Sequence, residues 1–536
     1  MVLFAGDYQI WHTFGTWFVD DFDDGLDAVA AALVESGVAE VAHTSDGHVY
    51  SRQDDEVKKT TCAVRVSPSG HTAFVECELL GKGLYSSEGV YQFAVMSYRE
   101  NWLMSGYLHE YAPFVRVLLN PVVIENDEQS VVLYPQVKLY GNGVALLHFR
   151  LFAPEDGSDG ETLVNFHLNL FQMDVTRLLV PPSILLEYDA ATALSSVTSR
   201  RHAKNVLEAF KQHIAGHVDR ATRMDIEDFS FGLVEVPIDQ YIGEEPCTFG
   251  FVRELYMQAI SHAIAPKRSV FREQGNYWAS RPTVFLFDYT RQPEKFREED
   301  EVLNREFASI LLRVPNVSPQ TAARAHLDNL RLFDDCRWYI GEAVNLLAVS
   351  STYEQSNTDE PDPNHGQLVY DKIVQVEAME FIRYTHRKML ENAMKSKSSP
   401  DETQADWRAV QDMEFVLADP SNVGEVTDTI HHYENVTGLG DIRRRIVQSL
   451  EVQSQYATYR KSQSLTALGI VATLVLGLSS LPTLTNEVVI PILGLLGVAA
   501  CSLSAGMKLL LMLATAVVLF GMAFILWRAV RRRYSR

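Results

Sequence analysis

Apolar residues are concentrated towards the C-terminal end of this chain. The segment Leu465–Trp527 is almost uninterrupted in its apolar character and contains one acid, Glu487, and one base, Lys508. One crossing of a bilayer by a helix needs about 20 apolar residues. The pattern therefore predicts at least two membrane-spanning helices at this end of the chain.

The apolar segment divides into two spans and a piece between them. We predict a first span that ends at residue 481, an extracytoplasmic or re-entrant segment over 482–508, a last span over 509–530 and a basic cytoplasmic tail over 531–536. Within the middle piece, 488–506 is nearly long enough to be a third span, but its proline and glycines favour the re-entrant interpretation.

Basic residues flank both ends of the apolar segment. Arg460 and Lys461 precede it, and a cluster of arginines ends the chain. Lys and Arg mark the cytoplasmic side of a membrane protein, so both flanks are expected in the cytoplasm. The predicted location is the inner (plasma) membrane, multi-pass, with the N-terminal body and the C-terminus cytoplasmic.

Small and hydroxyl residues recur on one face of the first predicted span. They are spaced three or four apart, as one helical face requires: Thr466, Gly469, Thr473, Gly477 and Ser480. Such a face suits close helix–helix packing or the lining of a pore, and both alternatives stay open. Glu487 and Lys508 would lie at the outer mouth of a pore. Either interpretation requires a protein neighbour, so we predict a homo-oligomer.

The long N-terminal part of the chain has the pattern of a mixed α/β body, which we place over 1–315 with a sub-boundary near 181. Residues 23–37 have helical spacing, whereas 61–66, 73–79 and 283–288 read as strands. The clearest hairpin is 131–152, because two alternating runs flank Gly141-Asn142-Gly143.

Helical spacing dominates from Ser318 onward, and we place a helical domain over 316–440. Ser318-Pro319 is a helix start, and the helix is expected to run to about Val349. A polar loop over 351–366 separates it from helices over 367–395 and 401–418. A pattern without proline then runs over 441–481, which predicts one helix about 60 Å long that continues into the first span. The predicted fold class is thus a mixed α/β body, a helical region and a C-terminal α-helical transmembrane hairpin.

Charge and cysteine content narrow the function classes. The net charge of −22 argues against nucleic acid as a partner, because phosphate binding relies on a basic surface. The five cysteines contain no Cys-x-x-Cys pair, so neither a zinc nor a disulfide framework is predicted.

The order of these elements resembles the CorA family of divalent-cation channels over roughly residues 320–536. The resemblance implies a homopentamer whose long helix lines a pore gated by cytoplasmic domains. The Gly-Met-Asn motif of that family is missing, since Leu481-Pro482-Thr483 stands in its place. The architecture also resembles divergent CorA-like effectors of antiviral type III CRISPR systems, and this resemblance implies a sensor for a nucleotide second messenger.

Few residues suggest specific chemistry. No P-loop, zinc-protease or nucleophile-elbow motif is present, so we predict no enzyme activity and identify no cofactor or metal site. The densest basic stretch of the body is a weak candidate site for an anionic nucleotide, or else a charged helix surface; its residues are Arg200, Arg201, Lys204, Lys211 and Arg220.

The sequence therefore favours a CorA-like membrane pore or effector that a small ligand opens. A divalent-cation transporter and a membrane-tethered scaffold are the alternatives. Expected partners are membrane lipid, further copies of the chain and a nucleotide ligand, with the role of a divalent cation left open.

Overall fold

A computed structural model of the chain describes residues in the following ranges: 7–18, 22, 25–53, 56–66, 73–79, 84–127, 129–153, 160–195, 221–264, 281–287, 301–325, 328–331, 336–350, 366–394, 400–495 and 504–534. Its internal contacts divide the chain into a larger unit, Met1–Glu391 with Val410–Arg445, and a C-terminal unit, Asn392–Ala409 with Ile446–Arg536.

Strands supply the framework of the larger unit. Within the described ranges they are β1 Tyr8–Trp17, β2 Ala39–Thr44, β3 His48–Gln53, β4 Glu56–Thr61, β5 Ala63–Val66, β6 Ala73–Glu76, β7 Phe114–Leu119, β8 Val122–Glu125, β9 Ser130–Tyr140, β10 Val144–Phe152, β11 Arg177–Val180, β12 Thr222–Ile226, β13 Phe229–Glu235, β14 Arg281–Leu286, β15 Cys336–Ile340 and β16 Asn345–Val349.

Helices connect the strands and follow them. Their bounds, again within the described residues, are α1 Gly25–Glu35, α2 Tyr85–Leu103, α3 Gly106–Tyr111, α4 Gly160–Thr162, α5 Pro182–Ser195, α6 Ile238–Ile242, α7 Phe249–Ile264, α8 Glu301–Leu312, α9 Pro319–Arg324, α10 Gly366–Met394, α11 Pro400–Ala418, α12 Gly424–Thr437, α13 Leu439–Ser479, α14 Leu481–Leu484, α15 Ile490–Leu495 and α16 Ala505–Tyr534. Shorter π and 3₁₀ turns lie over Leu163–Leu168, Leu170–Gln172 and Thr485–Val489.

Fourteen of the described strands form one mixed sheet with the main order β12-β13-β11-β8-β9-β10-β1-β14-β16-β15. The sheet branches at β9, whose first residues pair with β8 and whose last residues pair with β7, while its other edge pairs with β10. The β14–β16 pair is parallel and its neighbours are antiparallel. The two remaining strands, β5 and β6, pair with each other.

Alternation of side chains along the strands builds a separate core on each face of the sheet. In β1, Ile10 and Phe14 join a core that α1, α5, α7 and α8 complete. Trp11 and Trp17 join the opposite core, which α2, α10, α11 and α12 complete. The larger unit is therefore a sheet between two helical layers, and β1 is buried on both faces.

Several local predictions agree with this fold. Predicted helix 23–37 contains α1, whose buried residues repeat every three or four positions, and Gly37 with φ +75° follows its end. The predicted hairpin is β9–β10, and Gly143 at its turn has φ +80°. The predicted strand over 283–288 overlaps β14, every residue of which is buried.

The predicted helix from Ser318 to about Val349 is wrong over most of its length. Ser318 does cap a helix, because its Oγ accepts a hydrogen bond of 3.1 Å from the Thr321 N–H. That helix is α9 and ends at Arg324; β15 and β16 follow and are fully buried in the sheet. The periodicity of a short apolar run does not distinguish a strand from a helix. These two runs form strands because they are buried as part of the sheet.

The predicted transmembrane hairpin is also corrected. Across the ranges that the structure describes, none of the helices combines the length and the apolar composition that crossing a membrane requires. This finding overturns the spans over 465–481 and 509–530, the multi-pass inner-membrane location and the channel class built on them. The described part of the apolar segment lies mainly in helices α13 to α16, of which α16 contacts α14.

Candidate functional site

A row of polar side chains crosses the sheet on the face that α10 covers. Neighbouring strands place these residues opposite one another: His43 beside Arg116, Arg116 beside Lys138, and His148 between Gln136 and Thr13. Arg281 continues the row beyond Thr13. All of them are almost completely buried. An unpaired buried polar group is destabilising, so the partners of these seven side chains matter for the stability of the fold.

Glu377 of α10 is the anion at the centre of this polar row. Its carboxylate accepts two hydrogen bonds from Arg116, of 2.5 and 2.6 Å, and one of 3.2 Å from Lys138. Glu100 of α2 completes the cluster and lies 2.7 Å from both cations. The imidazole of His148 lies 3.4 Å from Glu377, and its other ring nitrogen lies 3.0 Å from the Thr13 hydroxyl.

The pKa values of Glu377, Arg116 and Lys138 reflect both burial and the charges around them. Burial alone would raise the pKa of Glu377, but Arg116 and Lys138 outweigh it and the pKa lies well below its usual range. Burial would lower the pKa of Arg116, yet Glu377 and Glu100 raise it. The pKa of Lys138 is lowered, because burial and the neighbouring Arg116 outweigh the two carboxylates.

Further ion pairs and hydrogen bonds fasten α10 along its length. Lys372 donates a hydrogen bond of 2.7 Å to Glu425 of α12, and Arg99 of α2 pairs with Asp371. At the other end, Thr385 accepts a hydrogen bond of 3.1 Å from the side chain of Asn142 in the β9–β10 turn. The helix is therefore held to the sheet, to α2 and to α12 by charged and polar contacts as well as by apolar packing.

Histidines are buried on the other face of the sheet as well. His12 Nε2 lies 2.9 Å from the backbone carbonyl of His167, and His167 Nδ1 pairs with the hydroxyl of Tyr8. Burial, with Arg313 nearby, lowers the pKa of His12 to about 3. Burial likewise lowers the pKa of His167 to about 4.

We expect the fold to lose stability as the solution is acidified below the ordinary histidine pKa. The pKa values of His12, His43, His167 and His386 are lowered to between about 3 and about 4 by burial. Between pH 6.5 and those values, the unfolded chain binds more protons than the folded one. The free energy of unfolding therefore decreases as the pH is lowered through this range. Each such histidine contributes up to about 1.4 kcal/mol per pH unit.

Urea unfolding of the chain at a series of pH values measures this slope. His12→Gln preserves an N–H that can donate to the carbonyl of His167, yet it removes one titrating group. The slope of the free energy of unfolding against pH should therefore decrease by the amount that corresponds to about one proton. An unchanged slope in this variant would show that His12 is protonated in the fold.

The ion cluster within the buried polar row holds α10 against the sheet. Arg116 and Lys138 of the sheet face Glu377 of α10 and Glu100 of α2. Among the residues that the structure describes, no group of three or more His, Cys, Asp or Glu side chains could hold a metal ion. The arrangement therefore fixes the position of α10 on the sheet.

The residues predicted as sites fall into two sets. The basic candidates Arg200, Arg201, Lys204, Lys211 and Arg220 lie outside the described residues, so a nucleotide site there stays a prediction. The small and hydroxyl residues predicted for the first span lie on α13 or just after it. Thr466 and Thr473 are exposed, and each hydroxyl donates to a carbonyl one turn earlier, at 2.8 and 2.7 Å.

The π turn over Thr485–Val489 and α16, which hold the two residues predicted for the outer mouth, contact each other. Glu487 lies in the π turn over Thr485–Val489 and Lys508 lies near the start of α16, and both are exposed. Next to Gly469 there is open space, since an added Cβ would meet nothing within 4 Å.

The C-terminal unit exposes a set of large apolar side chains, which we call the apolar surface. On α13 these are Leu465 and Leu468; on α16 they are Leu509, Leu510, Leu513, Val517 and Val518, and each of the seven has at least 59% of its side chain exposed. On α16 they recur at intervals of three or four residues, which places them on one face of the helix. Exposed apolar side chains that share one face of a helix mark a place where a protein can contact something else.

Sequence reasoning missed the buried polar row entirely. Gln136, Lys138 and His148 occupy alternate positions of the predicted hairpin, and alternation of this kind ordinarily predicts a solvent-facing side. Their burial depends on α10, which lies more than 200 residues later in the chain. Nothing in the sequence around Glu377 and Glu380 of α10 predicts that they lie near these strand residues.

Comparison with known proteins does not assign the chain to a class. No protein-family model, no curated protein and no solved structure matches the sequence or the fold.

Proposed function

We propose that the protein is a ligand-responsive effector that works by assembling with copies of itself through the apolar surface of its C-terminal unit. The observation that carries the proposal is the exposure of Leu509, Leu513 and Val517 along one face of α16. Burying one such side chain contributes about 1.5–3 kcal/mol. Burial of several such side chains against a partner in water is therefore strongly favourable.

A second copy of the same chain is the partner that this surface suits. On α13, Thr466 and Gly469 adjoin the apolar side chains, and the open space next to Gly469 lets a neighbouring helix approach closely. The hydroxyls of Thr466 and Thr473 are bonded within their own helix, so they need no polar group from a partner. A two-fold interface brings the same surface from both chains, and an apolar surface is complementary to itself.

The larger unit would supply the rigid body of each subunit. In the ion cluster around Glu377, Arg116 and Lys138 hold α10 on the sheet. For the ligand, the basic stretch over 200–220 supports an anionic nucleotide, and a nucleotide that binds the folded chain would raise its melting temperature. A pore or a transporter would require membrane-spanning helices, and none is found among the described residues.

Two acidic substitutions on α16 should dissociate the assembly. In Leu513→Asp with Val517→Asp, the loss of two buried side chains removes about 3–6 kcal/mol of association free energy per chain. The dissociation constant should then rise at least about 100-fold. Sedimentation equilibrium of both proteins over a range of concentrations measures the mass directly.

Val452→Asp is the matched control, because Val452 is 66% exposed on α13 but precedes the apolar surface. This variant should keep the mass of the parent. A parent chain that sediments as a single copy at all concentrations would refute the assembly. Flotation of such single copies with phosphatidylcholine vesicles would assign the apolar surface to lipid instead.

A further inference from the structure

Two cysteines lie opposite each other at the end of the small β5–β6 sheet. The antiparallel register pairs Ala63 with Glu76, so the next pair along the ladder is Cys62 and Cys77. Cys62 is buried, Cys77 is half-buried, and both are free thiols. The position follows from the backbone register and not from a chance approach of two side chains.

The hydrogen-bond pattern indicates which type of cross-strand pair this is. The Cys62 N–H donates to the carbonyl of Gly47 at 2.9 Å, so it is not exchanged with Cys77. In an antiparallel ladder, opposed residues that do not exchange hydrogen bonds have Cα atoms about 4.5 Å apart. Disulfides span Cα separations of about 4.4–6.8 Å, so the backbone need not move far for a bond to form.

The surroundings of the thiols agree with this arrangement. Burial raises the pKa of the Cys62 thiol, and hydrogen bonding to the Cys77 side chain raises it further. On its other side, Cys77 Sγ lies 4.0 Å from the hydroxyl of Thr60. Both cysteines pack in the core on the α2 side of the sheet.

We propose that Cys62 and Cys77 are a reversible disulfide site that a low-molecular-weight disulfide such as oxidised glutathione oxidises. Cys77 is the more exposed of the two, so its thiolate attacks first. The attack forms a mixed disulfide and releases one glutathione thiolate. The Cys62 thiolate then attacks Cys77 Sγ, which forms the cross-strand bond and releases the second glutathione.

The atoms and electrons of this exchange balance. Two cysteine thiols are oxidised to one disulfide, and one molecule of oxidised glutathione is reduced to two thiols that take up the two protons. Excess reduced glutathione reverses both steps. The crosslink would close the loop between β5 and β6 and so restrict the unfolded chain, which raises the melting temperature.

Peptide mapping of the full chain tests the proposal. The chain is equilibrated with oxidised glutathione or with reduced glutathione, free thiols are trapped with N-ethylmaleimide, and the digested peptides are identified by mass spectrometry. We expect a peptide crosslinked between Cys62 and Cys77 in the oxidised sample alone, with both cysteines protected from alkylation. Reduced glutathione should then restore alkylation at both.

Variants separate this pair from the other thiols. Cys62→Ser should leave a mixed disulfide with glutathione on Cys77, whereas the matched change Cys247→Ser should leave the crosslink intact, because Cys247 is a buried thiol in another part of the larger unit. The parent chain provides the deciding measurement and requires no variant to fold. Alkylation of Cys62 and Cys77 in the oxidised parent, or a crosslink from either to a different cysteine, would overturn the proposal.

Discussion

Glu377→Gln should lower the free energy of unfolding of the larger unit by about 3–5 kcal/mol, the effect of breaking a buried ion pair from one side. The carboxylate accepts hydrogen bonds from Arg116 and Lys138, and all three side chains are at most 2% exposed. Glutamine preserves the volume but removes the charge, so two cations would share the single anion Glu100. Its amide would also direct a donor at groups that can only donate.

Urea denaturation followed by tryptophan fluorescence measures this loss as a lower midpoint. Glu414→Gln on α11 is the matched control, because Glu414 is exposed and should change stability by less than about 0.5 kcal/mol. A second substitution, Arg116→Met, should destabilise the Glu377→Gln protein less than it destabilises the parent, since the pair is already broken. Equal destabilisation by Glu377→Gln and Glu414→Gln would contradict the central role given to this cluster.

Gly15→Ala should destabilise the fold by about 3 kcal/mol, the upper end of what overpacking a core usually causes. A Cβ at Gly15 of β1 would lie 1.9 Å from Cε2 and 2.1 Å from Cδ2 of Tyr384 on α10. The ring is 5% exposed and packs beside Trp17, with 6.3 Å between the ring centres, so it has little room to withdraw. The methyl group would therefore push α10 away from the sheet.

Removing the ring should relieve the clash. In the Tyr384→Ala background, we expect Gly15→Ala to destabilise by about 1 kcal/mol or less, which gives a coupling of about 2 kcal/mol in a double-mutant cycle. Gly424→Ala is the control, since a Cβ there would meet nothing within 4 Å. Additive effects of the two core substitutions would mean that α10 does not rest on Gly15 as described.

Local signals in the sequence were sufficient where the structure itself is local. The hairpin of β9 and β10 could be predicted because its turn, Asn142-Gly143, and its alternating strands lie within one short stretch. The start of α9 could be predicted for the same reason, since Ser318 caps its own helix. These features depend on residues only a few positions apart.

The features that could not be predicted depend on contacts between residues that are far apart in the sequence. The strands β15 and β16 are short apolar runs, and only the edge of β14 that they extend distinguishes them from helix. The ion cluster could not be predicted because Arg116, Lys138 and Glu377 are polar residues whose burial results from the docking of α10. The predicted transmembrane hairpin was wrong for a related reason. Length and hydropathy predict a preference for an apolar environment, but they do not identify that environment.

The central position of β1 has a consequence for the order in which the protein can fold during synthesis. β1 precedes both of its sheet neighbours in the chain, because one of its edges pairs with β10 and the other with β14. The edge of β1 that faces β14 must therefore remain unpaired until Arg281–Leu286 have been made. Unpaired strand edges are prone to aggregation, so this N-terminal strand is the segment for which a nascent-chain chaperone would matter most.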